Sequence, residues 1–290
     1  MNKENFKKIA YPETYADEKE LHDIFTFMRK EDPVSWVEPN QFRPFWAITK
    51  HEDIIEIEKQ NELFINDPRT TLMDIPTEDA IKEFTGGSHL LVRSLVHMDN
   101  PDHQLYRSLT QKWFAPPNLE SLKKDIRNIA KEYVNYMVDH GNECDFAKDV
   151  AIFYPLRVIM SILGVPKEDE PRMLRLTQEL FGGRDEDMIR DESETSSESN
   201  TITDFFEYFN ALTEDRRKNP TNDVSSVIAN AKINNEQLGH LEAMSYYVII
   251  ATAGHDTTSS STAGGILALI ENPDQLSKLK NNPSLSLIHI

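Results

Sequence analysis

The stretch Ala253-Gly254-His255-Asp256-Thr257-Thr258 sets an acid and two hydroxyls beside a glycine, inside a run that reads as helix from Val248 to Thr262. Gly, Thr and Ser are mediocre to poor helix formers, glycine alone costing about 1 kcal/mol relative to alanine, so their concentration in mid-helix asks for a cause. Without a side chain, Gly254 lets a flat or bulky ligand approach the backbone, and Thr257 can turn its hydroxyl onto the carbonyl of Ala253, four residues back, loosening the helical ladder. A loosened turn flanked by Asp256 and hydroxyls can hold ordered water and pass protons. Close helix–helix packing through small residues accounts for the same composition, and on the residues alone both readings stand. A second pair, His103 and Arg107, is four residues apart and so shares one helical face. Two such donors suit a pair of carboxylates or a phosphate, or form a solvated surface pair.

The chain that must position these groups has 290 residues, with 31 Lys plus Arg against 49 Asp plus Glu and a formal net charge of −18. An excess of that size repels phosphate backbones and anionic lipid, so no nucleic-acid partner and no membrane surface is expected. Cys144 is the single cysteine; it excludes an internal disulfide and any multi-cysteine zinc or iron–sulfur site, and it reads as an ordinary buried thiol. The N-terminal residues carry no apolar segment and no eighteen apolar residues run without a charge, so neither a signal peptide nor a membrane span is expected, and the expected location is cytoplasmic.

Most of the chain reads as helix. Leu21, Ile24, Phe25 and Met28 recur at three-and-four spacing within residues 17–30. Val34-Ser35-Trp36-Val37 and Phe45-Trp46-Ala47-Ile48-Thr49 are short, aromatic and β-branched, which predicts a small antiparallel hairpin. Helical texture resumes over 51–62, and an irregular passage follows from Asn66 to Asp99, a length more often functional than filler. Pro101 opens a helix with Asn100 as its cap, and Pro116-Pro117 stops it. Residues 118–140 and 147–163 are amphipathic, the second ending at Gly164. The acid- and serine-dense segment from Arg184 to Asp204 reads as a solvated loop, with a helix over 203–218 and a short one after Asn222. The longest element begins near Asn234, where Asn234-Asn235-Glu236-Gln237 has the pattern of a capping box, and runs without proline to Glu271. As one helix it would span roughly 50 Å or more.

In order and separation these features resemble the bacterial, soluble cytochrome P450 monooxygenases over nearly the whole chain. The residues that carry the likeness are Trp46 to Ile54, His97-Met98-Asp99-Asn100-Pro101-Asp102-His103-Gln104-Leu105-Tyr106-Arg107, Arg216 to Val224, and Ala253-Gly254-His255-Asp256-Thr257-Thr258. The resemblance implies a mainly α fold with a small β region, the cytochrome P450 fold, here incomplete at the C-terminus. It implies haem as cofactor in the full-length parent, with His103 and Arg107 on the propionates and Ala253 and Gly254 where the central helix passes over the haem face. Thr257 matches the family's oxygen-face hydroxyl, and Asp256 matches the acid that relays protons for O–O cleavage. His255 falls at a variable position and is left unassigned, as a packed or solvated imidazole. A ferredoxin or flavoprotein would supply electrons, and a small apolar molecule such as a terpenoid, sterol or fatty acyl chain would be the substrate, walled by Phe84, Leu90, Phe181 and Ile250.

The likeness breaks at the iron ligand. The family holds its iron through a cysteine thiolate in a glycine-containing loop after the central helix, whereas Cys144 lies far before it and is not that ligand, so no metal-ligating residue is assigned. Glu214-Asp215-Arg216-Arg217 fits the family's Glu-x-x-Arg spacing but precedes the central helix, a chance match. Residues 1–283 are therefore expected to be the N-terminal part of one cytochrome P450 domain, and 284–290 an aberrant tail, with monooxygenase activity absent from the chain by itself. Two other classes fit parts of the pattern. One is a non-catalytic helical binding protein on the same scaffold. The other is a metal-dependent phosphohydrolase of the His-Asp type, resting on His255-Asp256 alone.

Overall fold

In the computed structural model, which describes residues 2–141, 143–181 and 201–287, the aromatic and β-branched runs pair as their alternation predicts. Strands β1 (Val34–Val37) and β2 (Phe45–Ile48) are antiparallel, with Trp36 opposite Trp46. Side chains alternate across a strand, so Ser35 and Val37 turn inward while Val34 and Trp36 stay exposed. Ahead of the hairpin lie α1 (Pro12–Ala16) and α2 (Glu18–Glu31). The carboxylate of Asp17 accepts from the N–H of Glu20 and starts α2. The buried face of α2, Ile24 and Met28, packs with Phe6, Ile9, Val37 and Ala47 into one core. Two further helices follow, α3 (His51–Glu58) and α4 (Ile75–Thr85). The second corrects the irregular reading of 66–99: Asp74 caps it through Thr77 N–H at 2.9 Å, and Gly86 ends it at φ 72°.

The chain forms two compact units, residues 1–104 and 105–290, and helix α5 (Asp102–Gln111) carries the boundary. The second unit continues with α6 (Pro116–Asp139), which the two prolines begin at a position where a missing N–H costs nothing. A π-helical turn, Phe146–Ala151, runs into α7 (Phe153–Leu163), closed by Gly164 at φ 67°. Then come α8 (Glu170–Phe181), α9 (Thr201–Lys218) and α10 (Val224–Ala229). Most of the acidic 184–204 segment lies outside the described residues. Arg216 fastens this unit, donating from Nε to Asp223 at 2.7 Å and from Nη2 to the Gly164 carbonyl at 2.8 Å, while Asp223 caps α10.

The expected single helix from Asn234 to Glu271 differs from the structure in two places. Asn234 and Asn235 take positive φ, 53° and 67°, and turn a hairpin between β3 (Lys232–Ile233) and β4 (Glu236–Gln237). Asparagine tolerates that conformation, so the pattern resembling a capping box is a reverse turn. The helix proper starts six residues later, as α11 (His240–Ala253), and is interrupted before α12 (Asp256–Glu271); α13 (Pro273–Asn281) follows. Among the described residues no helix is long and apolar enough to cross a membrane.

Candidate functional site

The interruption falls on Gly254 and His255. The N–H of His255 donates to the Thr252 carbonyl at 3.2 Å, three residues back, in place of the four-residue step of an α-helix. Two threonine hydroxyls bracket it: Thr252 Oγ1 donates to Val248 O at 2.5 Å and Thr257 Oγ1 to Ala253 O at 3.0 Å. Such back-bonding competes with the backbone ladder and bends helices. Ala253, Asp256 and Thr257 are exposed, whereas Thr252 and His255 are buried. The turn thus has an outer face bearing the acid and the free side of a hydroxyl, and an inner face packed into the second unit.

Gly254 belongs to the packing of that turn. A Cβ there would lie 2.3 Å from Cδ1 and 2.8 Å from Cγ1 of Ile159 on α7. The space a side chain would take is filled by the side chain of Ile159, so close packing accounts for glycine at 254.

His255 is packed as well, 3% exposed. Its Nε2 lies 2.9 Å from the Ile152 carbonyl and its Nδ1 3.3 Å from Thr177 Oγ1. Burial pushes its pKa below 6.5, against the opposing pull of the Ile152 carbonyl and the Asp256 charge. An imidazole with both nitrogens so engaged is no metal ligand, which removes the support that the phosphohydrolase reading drew from His255.

On α5, His103 is half-buried and Arg107 exposed, and neither side chain forms a hydrogen bond or ion pair among the described residues. By contrast Arg43, Arg69, Arg157 and Arg216 all sit on carboxylates. One helical turn therefore offers two unengaged donors of the kind that bind paired carboxylates. The Tyr246 hydroxyl of α11 donates to the Tyr106 carbonyl, one residue before Arg107.

The four expected wall residues do not gather on one element. Ile250 is half-buried on α11, four residues before Gly254. Phe181 ends α8, and its side chain lies outside the described residues. Phe84 is 83% exposed on α4. Leu90 borders a cavity of about 40 Å³ in the first unit, beside Arg43, Arg69, Thr70 and His89, room for a few waters. Beneath that cavity lies a cluster that sequence reasoning missed. The buried carboxylate of Glu78 accepts from Arg43 Nε at 2.5 Å, Arg69 Nη2 at 2.6 Å and His89 Nδ1 at 2.7 Å. Burial raises its pKa, and these three donors outweigh burial and hold it at about 2. The partners are 35, 9 and 11 residues away, beyond any helical spacing that would have shown them. Cys144, expected to be buried, is exposed, because the segment between α6 and the π-helical turn runs at the surface.

The described residues are thus mainly helical, with a histidine–arginine pair on one helix and an acid–hydroxyl pair at a break in another. The chain belongs to the cytochrome P450 family, whose model matches residues 15–283. It is 40% identical over 287 residues to cytochrome P450-terp of a Pseudomonas species, covering 96% of this chain and 67% of that protein. The crystal structure of CYP108D1 from Novosphingobium aromaticivorans matches with a TM-score of 0.84 and 41% identity, over 96% of this chain and 67% of that one. A methyl-branched lipid omega-hydroxylase of Mycobacterium tuberculosis is 29% identical over 259 residues, 87% of this chain and 58% of that protein. The chain thus spans about two thirds of the length of its relatives, or less. The family's cofactor is haem, and the unengaged donors of α5 fit its two propionates.

Proposed function

We propose that the chain is the oxygen-handling part of a monooxygenase that inserts one atom of dioxygen into a small apolar molecule, with two electrons from a ferredoxin or flavoprotein. The observation that carries this reading is the hydroxyl of Thr257 on the Ala253 carbonyl at 3.0 Å, at an interruption that leaves Asp256 exposed beside it. When bound, haem supplies the redox-active iron that activates dioxygen. His103 and Arg107 would hold its propionates. Thr257 has spent its only proton on a carbonyl, so its oxygen is an acceptor that fixes a water on the outer face. Asp256, in contact with solvent, takes up protons from bulk and hands them to that water, keeping proton supply steady without exposing the reacting carbon to bulk water. The name of the lipid omega-hydroxylase among the relatives supports an apolar substrate.

Cys144, exposed and before the central helix, is not the axial ligand in this reading. Haem titration tests the propionate assignment. His103→Leu and Arg107→Leu are each expected to weaken haem uptake by about tenfold, and uptake equal to the parent in both would overturn it. A thiolate-type Soret band with carbon monoxide, from the 290-residue chain, would overturn the reading of Cys144.

A further inference from the structure

His255 does more than fill space at the break. Its two nitrogens reach two different elements: the carbonyl of Ile152, between the π-helical turn and α7, and the hydroxyl of Thr177 on α8. A carbonyl only accepts, so Nε2 carries the hydrogen, and the neutral ring presents Nδ1 as an acceptor. Thr177 Oγ1 also lies 3.0 Å from Met173 O and 2.9 Å from Leu174 O, so its one proton is shared among three acceptors and the Ile152 bond is the firmer anchor. The backbone of the same residue is engaged at both ends, its N–H on Thr252 and its carbonyl accepting from Ser259 N–H at 2.9 Å. Successive helical residues turn by about 100°. A ring pinned at 255 therefore faces away from Ala253 and Thr257, which share the outer face. Gly254, between them, is wedged on Ile159.

We propose that His255 is a positioning residue: by tying the interrupted turn to Ile152 and Thr177, its buried imidazole holds the break open and sets the direction of Asp256 and Thr257, without itself relaying a proton. The proposal rests on the reading of Asp256 and Thr257 as the proton-handling pair. It draws on the depressed pKa of the ring only as agreement with a neutral imidazole.

Amide hydrogen exchange of the 290-residue chain tests the anchor without any turnover. His255→Leu fills the site but cannot donate, and His255→Gln places an amide N–H within reach of Ile152. The expected result is exchange about tenfold faster at residues 255–259 in His255→Leu, with 243–247 unchanged, and protection restored in His255→Gln. Equal acceleration across 243–259 would overturn the proposal in favour of an ordinary core histidine, as would a glutamine variant no better than leucine. Where the leucine variant does not fold, nitrogen-resolved NMR of the parent decides: an Nε2–H tautomer persisting through neutral pH supports the anchor, and an Nδ1–H ring or one that titrates near 6.5 overturns it. In the full-length haem enzyme that this reading implies, His255→Leu is further expected to raise the share of electrons lost as peroxide several-fold, with His255→Gln near the unsubstituted protein. If Asp256→Asn leaves that share unchanged, the proton-handling reading fails, while the exchange result still stands or falls on its own.

Discussion

The two halves of the interrupted helix have opposite fates. Of α11, Ala243, Met244, Ser245, Tyr246, Tyr247, Ala251 and Thr252 are buried, whereas α12 buries only Ser259 among its residues. Tyr247 is fully enclosed, stacked at 4.6 Å on Phe209, with its hydroxyl 3.0 Å from Thr213 Oγ1. Ile266, Leu267 and Ile270 of α12 stand in solvent at 37%, 56% and 64% exposure. Composition separates the halves: α11 carries Met244, Tyr246, Tyr247 and Val248, whereas α12 opens on Asp256-Thr257-Thr258-Ser259-Ser260-Ser261-Thr262 and two glycines. Helices α7, α9 and α10 pack on α11, while α12 meets α7 and the π-helical turn. The break divides a scaffold from a surface, and Asp256 and Thr257 sit at the first turn of the surface half, held by the rigid half and open to a ligand.

The largest test of that division is Tyr247→Ala, which removes a buried ring from the scaffold half and is expected to cost about 3–5 kcal/mol in denaturant unfolding. A loss under about 1 kcal/mol would erase the distinction between the halves. Next in size is Gly254→Ala at the division itself. Its Cβ collides with the end of Ile159, and overpacking of this kind costs about 1–3 kcal/mol. Ile159→Ala removes both colliding atoms, so the double variant should be more stable than the sum of the single losses predicts. Strict additivity would place the glycine's role elsewhere.

How much of this was legible in the sequence depends on the range of each interaction. The hairpin, α2, α6, α7 and α9 follow from periodicity and end signals that act within a few residues. Thr257 bonding to Ala253 is likewise a four-residue matter, and it was readable. The motif at 253–258 placed the break's acid and hydroxyl, but its glycine has a partner 95 positions away in Ile159, and His255 has partners 103 and 78 positions away. No local pattern reports such contacts. Asn234-Asn235-Glu236-Gln237 was misread for another reason: asparagine suits both a helix start and a left-handed turn, and only the pairing of β3 with β4 chooses between them.

Acid separates the junction from the first unit. Glu78 has a folded pKa of about 2, below its ordinary 4.5, so its stabilisation is complete above pH 4.5 and is lost as the pH falls toward 2. With its cationic partners partly in water, the loss is expected to be on the order of 1–2 kcal/mol, and Glu78→Gln should flatten it. His255 acts earlier. Its folded pKa lies below 6.5, so the unfolded chain takes up the proton first and stability declines as the pH drops below 6.5. The decline is expected to be absent in His255→Gln. Stability measured from pH 7 to 3 in the two variants should therefore lose its pH dependence in two separate windows. A His255→Gln curve superimposable on the parent would mean that the junction is open to solvent and that the scaffold does not extend to it.

The smallest expected effect falls on α12. Leu267→Ser replaces a large apolar side chain by a polar one in mid-helix, a change that costs several kcal/mol where leucine is buried. At 56% exposure it has little to lose, and the expected change in unfolding free energy is within about 0.5 kcal/mol. Ile270→Ser should behave alike, and both should lower the binding of an apolar dye, because Ile266, Leu267 and Ile270 lie within five residues and form one patch. Helix propensity alone favours leucine over serine by a few tenths of a kcal/mol, which sets the sign. A loss above about 2 kcal/mol at either site would break the comparison from its weak side, since it would require this face to be covered in solution, and α12 would then be a second scaffold.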